Sequence, residues 1–466
     1  MERRFRLLGA VVLVGFTLSF LLFVGPWPVV TSKASWRRPL ERTSREVSRE
    51  ADVVRGIGSL DAGWAVSPLV LPEGVPLAGY GDRLGEPSRG YHDPLEVGAL
   101  VVRGRTTSDT GSGPASERPI EFAIVASDLL IVPHPIAEQV RARVEVPVLF
   151  TASHTHSGPG GAMRGLVARA FGGRYDLNVE RAVLEAMVAA IEEARADLRP
   201  VTASHGALEL PGLIRNRTRD ATAGYPLTDP YLDLLHFETV SEGSLSLVRY
   251  SAHAIIVGAG NMELSAGYPG YLRSAVERLE GGQAFFLAGA VGSMSARVAG
   301  DDDDFTSARR YGELLAEAAS SMVMTSLSSA TVGVVDVTVT APPVQLRLTP
   351  WFRISPLFLA TNGIRREVRF TAFRIGEFVL IGFPGDLSGE IAAELRAWGR
   401  RQGIEIVPTS FAGSYLGYIS PDAYYDELYE PDGLAYETGL MSWAGPGQER
   451  FFVGLARAAV DALFRE

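Results

Sequence analysis

Four nearly continuous apolar runs limit what this chain can fold into. Residues 121–132 (EFAIVASDLLIV), 146–151 (VPVLFT), 283–288 (QAFFLA) and 378–382 (FVLIG) leave almost no room for a water-facing side. Strands of that composition are buried on both faces, the condition met in an α/β sheet covered by helices. The last three runs break into small-residue or proline turns (SGPGG, GAVGS, FPGD), so the chain leaves the sheet abruptly at each strand end. Residues 179–198 (VERAVLEAMVAAIEEARADL) place apolar side chains at helical spacing, with Glu185, Glu192 and Glu193 on a solvated face. Residues 311–327 and 449–464 read as further helices. The fold class expected is α/β, a mixed β-sheet core flanked by helices, with its functional groups at strand ends.

Those strand ends collect the reactive side chains. Residues 146–161 carry His154 and His156, two apart in extended chain and so addressing one side. His-x-His at a strand mouth is metal-ligand spacing, because neutral imidazole is a common ligand for zinc. Two surface histidines satisfied by hydrogen bonds are the alternative. His253 follows the apolar segment 245–250, where a lone histidine would equally serve the core. Asp386 closes the Pro-Gly turn after residues 378–382, either as a hard oxygen ligand or as the N-cap of the helix that follows. The chain has no cysteine, which removes thiolate nucleophiles, Cys-ligated zinc and disulfides. A formal net charge of −10 argues against a nucleic-acid partner, which calls for a basic face. The aspartate run 301–304 either holds a hard cation such as Ca2+ or Mg2+ through its oxygens or solvates a loop.

The nonapeptide SHTHSGPGG at 153–161 resembles the histidine motif of the neutral, non-lysosomal ceramidases, zinc-dependent amidases that cleave the fatty acyl amide of ceramide. Further segments keep the order of that family's motifs. Asn216-Arg217-Thr218 resembles the first half of Asn-Arg-Ser-Pro, with Arg219 where the family has proline, and His253 falls on a zinc-binding histidine. Gly292-Ser293-Met294-Ser295 is similar to Gly-Asp-Val-Ser and sets Ser295 on the serine central to catalysis, with Ser293 in place of the aspartate. Asp386 stands where a Pro-Gly-Glu glutamate binds zinc, and Tyr415 and Tyr418 match a Tyr-x-x-Tyr whose second tyrosine reaches the metal. The glycine- and tyrosine-containing stretch 79–104 is a partial match. The resemblance runs from about Val66 to Pro446, and the family's C-terminal β-sandwich domain is not expected within this chain.

The resemblance implies one zinc ion on His154, His253, Asp386 and Tyr418. His156 would then stand beside the ligands or act as acid and base toward the leaving amine. It also implies that Arg217 and Tyr418 stabilise an oxyanion, and that Ser295 either holds a substrate hydroxyl or attacks the carbonyl. The reaction implied is hydrolysis of ceramide or a related N-acyl lipid to fatty acid and amine. A metallohydrolase for a different amide, or a non-catalytic anchored binding protein on the same scaffold, are the alternatives.

Residues 7–25 are 19 uncharged residues preceded by three arginines. About 20 apolar residues span a bilayer, and cleaved signals usually have shorter apolar cores. The expected layout is a transmembrane signal anchor over 1–30, a charged tether or short exposed helix over 31–53, and a catalytic domain over 54–466. Arginines ahead of the span put the globular part on the extracytoplasmic side.

Overall fold

The computed structural model describes residues 2–32, 34–55, 57–106, 119–218, 228–240, 243–300, 302–328, 331–349, 351–426, 429–430, 433–434 and 436–465. Its apolar runs separate into two sheets. The larger has nine strands, in the order Gln283–Ala288, Ser244–Tyr250, Tyr231–Thr239, Arg199–Glu209, Ile57–Pro68, Glu96–Thr106, Ile120–Ser127 and Val148–Ala152, with Thr325–Ser326 attached to Arg199–Glu209. Its middle is antiparallel, while the outermost pair at each edge is parallel. The smaller sheet orders Glu405–Thr409, Phe378–Gly382, Glu367–Ile375, Thr331–Thr340 and Asp52–Arg55.

Why two sheets form is visible in the strand alternation. Successive side chains point to opposite faces, and here both faces are apolar. Leu100, Val102, Phe122 and Ile124 share one core with Phe373, Phe378 and Leu380 of the smaller sheet. Phe122 stacks on Phe373 with ring centroids 4.0 Å apart. The intervening residues Ala99, Val101, Ala123 and Val125 face a second core with Ile136, Val140, Val183 and Met187, from the helices His134–Val144 and Leu177–Ala196. On the far side, Phe370, Ala372, Val379 and Ile381 pack with Ile391, Leu395, Phe451 and Phe452, from the helices Gly389–Arg400 and Gln448–Phe464. The result is four layers, helix, sheet, sheet, helix. The expected mixed core is thus present, divided into two facing sheets.

Glu2–Phe23 is helical, but among the described residues no helix is long and apolar enough to cross a membrane. Its exposed apolar side chains include Val11 to Phe23, and its end is tied to the rest of the protein where Ser355 Oγ donates to Leu22 O at 2.7 Å. Within 31–53, Ala34–Glu50 forms a helix whose Thr43 and Val47 are buried. The helix expected over 311–327 is Asp304–Ser320, capped by Asp303, which accepts from Phe305 N at 3.1 Å and Thr306 N at 3.0 Å. Capping and an ion pair from Asp302 to Arg310 at 3.6 Å account for two aspartates of the acidic run; Asp301 lies outside the described residues, as does Arg219.

Candidate metal centre and its cavity

His154 leaves the strand Val148–Ala152 with φ of 58°, a left-handed conformation that residues other than glycine seldom adopt. The two-residue period expected to aim His154 and His156 together does not operate, since both lie past the strand. The turn does the aiming. Ser153 N donates to Ser127 O at 2.8 Å, and the His154 ring lies on Phe411 with centroids 4.3 Å apart and planes at 13°. Buried Arg83 donates to the carbonyls of Ala78, His156, Gly258 and Ala259, stapling the turn to a second loop. The His156 ring fills the space over Gly79, where a Cβ would stand 2.6 Å from Nδ1 and the backbone already has φ of +107°. His253 follows the strand Ser244–Tyr250 and is fixed by its N–H to Met294 O at 3.2 Å. Asp386 pairs in register with Tyr418.

The three imidazoles meet at Nε2. His253 Nε2 lies 3.0 Å from both His154 Nε2 and His156 Nε2, and the latter two are 3.4 Å apart. His154 Nδ1 is 2.7 Å from Leu130 O, and His253 Nδ1 is 3.1 Å from Val291 O. A carbonyl oxygen only accepts, so both Nδ1 atoms carry the proton and both Nε2 atoms present lone pairs to one another. Facing lone pairs at that distance repel unless a cation sits among them. Asp386 Oδ2 accepts from Tyr415 Oη at 2.7 Å. Its other oxygen, Oδ1, is buried 3.3 Å from His154 Nε2 with no hydrogen-bond partner, and a buried orphan of this kind calls for an ion.

The residues therefore fit a divalent metal. Ligands at about 2.0–2.1 Å from a tetrahedral zinc stand about 3.3 Å apart, close to the spacing found here, and imidazole with carboxylate is a donor set that zinc accepts. Burial pushes the His156 and His253 side chains well below their ordinary pKa, with the neighbouring imidazoles and Arg217 adding to the effect. Burial also lowers His154, against the pull of Asp386. All three stay in the neutral, ligating form.

Beside them, Arg217 donates through Nε and Nη2 to Gly292 O at 3.3 and 3.2 Å, and through Nη2 to Tyr418 Oη at 2.9 Å. Burial holds the Tyr418 phenol well above its ordinary range despite Arg217, with Asp386 adding to the rise. The phenol is thus kept protonated as a donor. Ser295 bridges His253 through the backbone, while its Oγ donates to Ala296 O at 3.4 Å. His154, His156, Asp386, Tyr415 and Tyr418 line a cavity of about 480 Å³ whose other walls include Leu130, Ile131, Met163, Val167, Phe171 and Ile364. A mostly apolar hollow that also carries the imidazoles and Asp386 on its lining suits a molecule with a long apolar part and one polar junction.

Sequence reasoning gathered His154, His253, Asp386 and Tyr418 around one ion, with His156 beside the ligands or as acid and base; in the structure the His156 Nε2 joins those of His154 and His253, and the Tyr418 hydroxyl lies against Arg217 Nη2 at 2.9 Å. It gave no role to Tyr415, Arg83 or Gly79. Tyr415 was in view as the first member of Tyr-x-x-Tyr, and the other two lie in or beside a turn that the glycine spacing of 79–104 already marked.

No family model matches the chain. The neutral ceramidase of Mycobacterium tuberculosis is 28% identical over 234 residues, which is 46% of this chain and 34% of that protein. The chain thus aligns with about a third of its curated relative's length. The crystal structure of neutral ceramidase from Pseudomonas aeruginosa superposes with a TM-score of 0.69 at 20% identity, covering 87% of this chain and 74% of that one. A solved structure described as ceramidase complexed with C2 gives 0.68 at 19% identity, covering 87% and 75%. The resemblance carried by the motifs holds, and the fold is the one those structures share.

Proposed function

We propose that this chain, built on the neutral-ceramidase fold, is a zinc-dependent amidase that hydrolyses the N-acyl amide of ceramide or a related N-acyl lipid to a fatty acid and an amine. The observation that carries the reading is the convergence of three imidazole Nε2 atoms and the unpartnered Asp386 Oδ1 beside a mostly apolar cavity that His154, His156 and Asp386 line. His154, His156, His253 and Asp386 would hold the ion, which when bound supplies Lewis-acid polarisation of the acyl carbonyl. The chain's own groups do the rest. The apolar walls take the acyl chain and exclude water from it. Arg217 and the protonated Tyr418, 2.9 Å apart, present donors toward the oxygen that gains negative charge as water adds to the acyl carbon. As the C–N bond breaks, the amine leaves with the proton that the added water gives up.

Support for a lipid substrate comes from the cavity and from what the related proteins are named for. The same reading places the globular part outside the cytoplasm, supported by the arginines ahead of residues 7–25; protease accessibility in intact cells tests that. The direct test is metal analysis of the full chain alongside release of fatty acid from a short fluorescent N-acyl sphingosine. One zinc per chain with chelator-sensitive release is expected. Zinc without release on this probe, but with release from other N-acyl amides, moves the substrate and keeps the chemistry. No release from any amide with zinc bound leaves a binding protein, and absence of zinc overturns the proposal.

A further inference from the structure

Glu390 is a buried carboxylate, 1% exposed, that the chemistry above does not use. It sits in the first turn of the helix Gly389–Arg400, where the helix dipole favours an anion. Three donors from three separate segments converge on it. Asn216 Nδ2 and Tyr424 Oη both donate to Oε1, and Ser293 Oγ donates to Oε2 at 2.6 Å. The two carboxyl oxygens of one side chain thus take hydrogen bonds from three segments that are distant in sequence.

Each of those segments carries a group of the site. Asn216 precedes Arg217, and its Oδ1 accepts from Thr218 N and Thr218 Oγ1, both at 2.9 Å, so the amide orientation is set. Ser293 accepts from Gly389 N at 2.9 Å, its carbonyl accepts from Arg217 N at 2.8 Å, and the neighbouring Met294 O accepts from His253 N. Tyr424 lies in the turn that follows the strand Tyr418–Ile419. Among the described residues, the carboxylate paired with the Arg217 guanidinium is Glu437, at 3.8 Å. Its guanidinium is aimed by the Gly292 carbonyl and Tyr418, groups whose loops Glu390 ties together.

We infer that Glu390 is the positioning residue of this centre, setting the Arg217 guanidinium against Tyr418 by clamping the loops that carry Asn216, Ser293 and Tyr424. The inference rests on the proposed role of Arg217 and Tyr418 as donors to the acyl oxygen. Misplacement of such groups by about 1 Å costs about 100-fold in rate, and because those donors act on developing charge the loss falls on kcat.

The test uses the full chain as Glu390→Gln and Glu390→Asp, with zinc content, thermal unfolding, kcat and KM on the fluorescent N-acyl substrate, and a crystal structure of Glu390→Gln. Expected for Glu390→Gln are a kcat about 100-fold lower, KM within about twofold, zinc content unchanged, and loss of the Arg217–Tyr418 contact. Glu390→Asp, which keeps a carboxyl group, recovers part of kcat. The inference is overturned if kcat is unchanged, if kcat falls only in step with zinc or folded protein, or if the Arg217–Tyr418 contact persists in the variant. Should the parent turn over no amide, the proposed function fails, and the crystallographic contact alone still decides the role of Glu390.

Discussion

At the scale of single residues, the centre depends on backbone positions that look unremarkable as text. Gly79 is needed because its Cβ position is occupied by the His156 imidazole. Gly79→Ala is expected to displace that ring and weaken zinc binding by about 10- to 100-fold, the range seen when support around a ligand is lost, while far-ultraviolet circular dichroism stays that of the parent. Competition with a chromogenic chelator measures it; parental affinity would refute the packing argument. His154→Ala removes the ligand whose Nε2 faces both other imidazoles. It should abolish zinc binding and amide hydrolysis together, leaving the fold largely intact. Hydrolysis that survives with zinc lost would contradict the metal mechanism.

At the scale of elements, the site is assembled from strand ends and from the close packing of the turns after them. Gly160, in the turn that carries the histidines away from the sheet, touches the end of the helix Leu166–Gly172 so closely that a Cβ would lie 2.0 Å from Gly172 O. Gly161 N donates to that same carbonyl at 2.7 Å. Gly160→Ala must open this contact, and overpacking of that kind costs on the order of 1–3 kcal/mol. Urea unfolding reads the loss, and an unchanged midpoint would show that the helix is free to move. The aspartate at 386 was legible as ligand or as N-cap; the structure gives the helix N-cap position to Ser388 and leaves Asp386 Oδ1 facing His154.

At the scale of the whole molecule, a buried charge network joins the two sheets to the helix Gly389–Arg400. Arg396 contacts both Asp233 oxygens, Arg249 pairs with Asp229 at 2.6 Å and Asp233 at 3.4 Å, and Arg249 Nε reaches Pro408 O at 3.0 Å. Arg396→Met leaves Asp233 with Arg249 and His205 alone, and removing one partner of a buried pair costs about 3–5 kcal/mol. Denaturant unfolding that shows no loss would contradict this. Burial works to raise the Asp233 carboxyl, but Arg396, a hydrogen bond from His205 and Arg249 outweigh it and hold the group far below the ordinary carboxylate range. A depressed carboxyl stabilises the fold fully above its unfolded pKa of about 3.9, and that contribution is lost as pH falls below it. Stability should therefore drop steeply below about pH 4, and Asp233→Asn should flatten that limb; an unchanged acid limb would count against the network.

What the sequence determined by itself is local chemistry: strands too apolar to face water, turns forced by glycine and proline at their ends, the absence of any thiol, and three histidines and an aspartate placed at those ends. Those features follow from side-chain type and spacing, which act within a few residues. What tertiary structure decided is everything that depends on which segment meets which. Two apolar faces look alike in sequence whether a helix or a second sheet will cover them, so the four layers could not be read. His154 and His156 converge through a left-handed turn and through Arg83 and Gly79 more than 70 residues away, not through strand period. Glu390 sits among acidic residues that any helix surface could carry, and only burial among three foreign donors separates it from them. Pairings across such distances arise from packing over the whole chain, and that information does not reside in any one stretch of it.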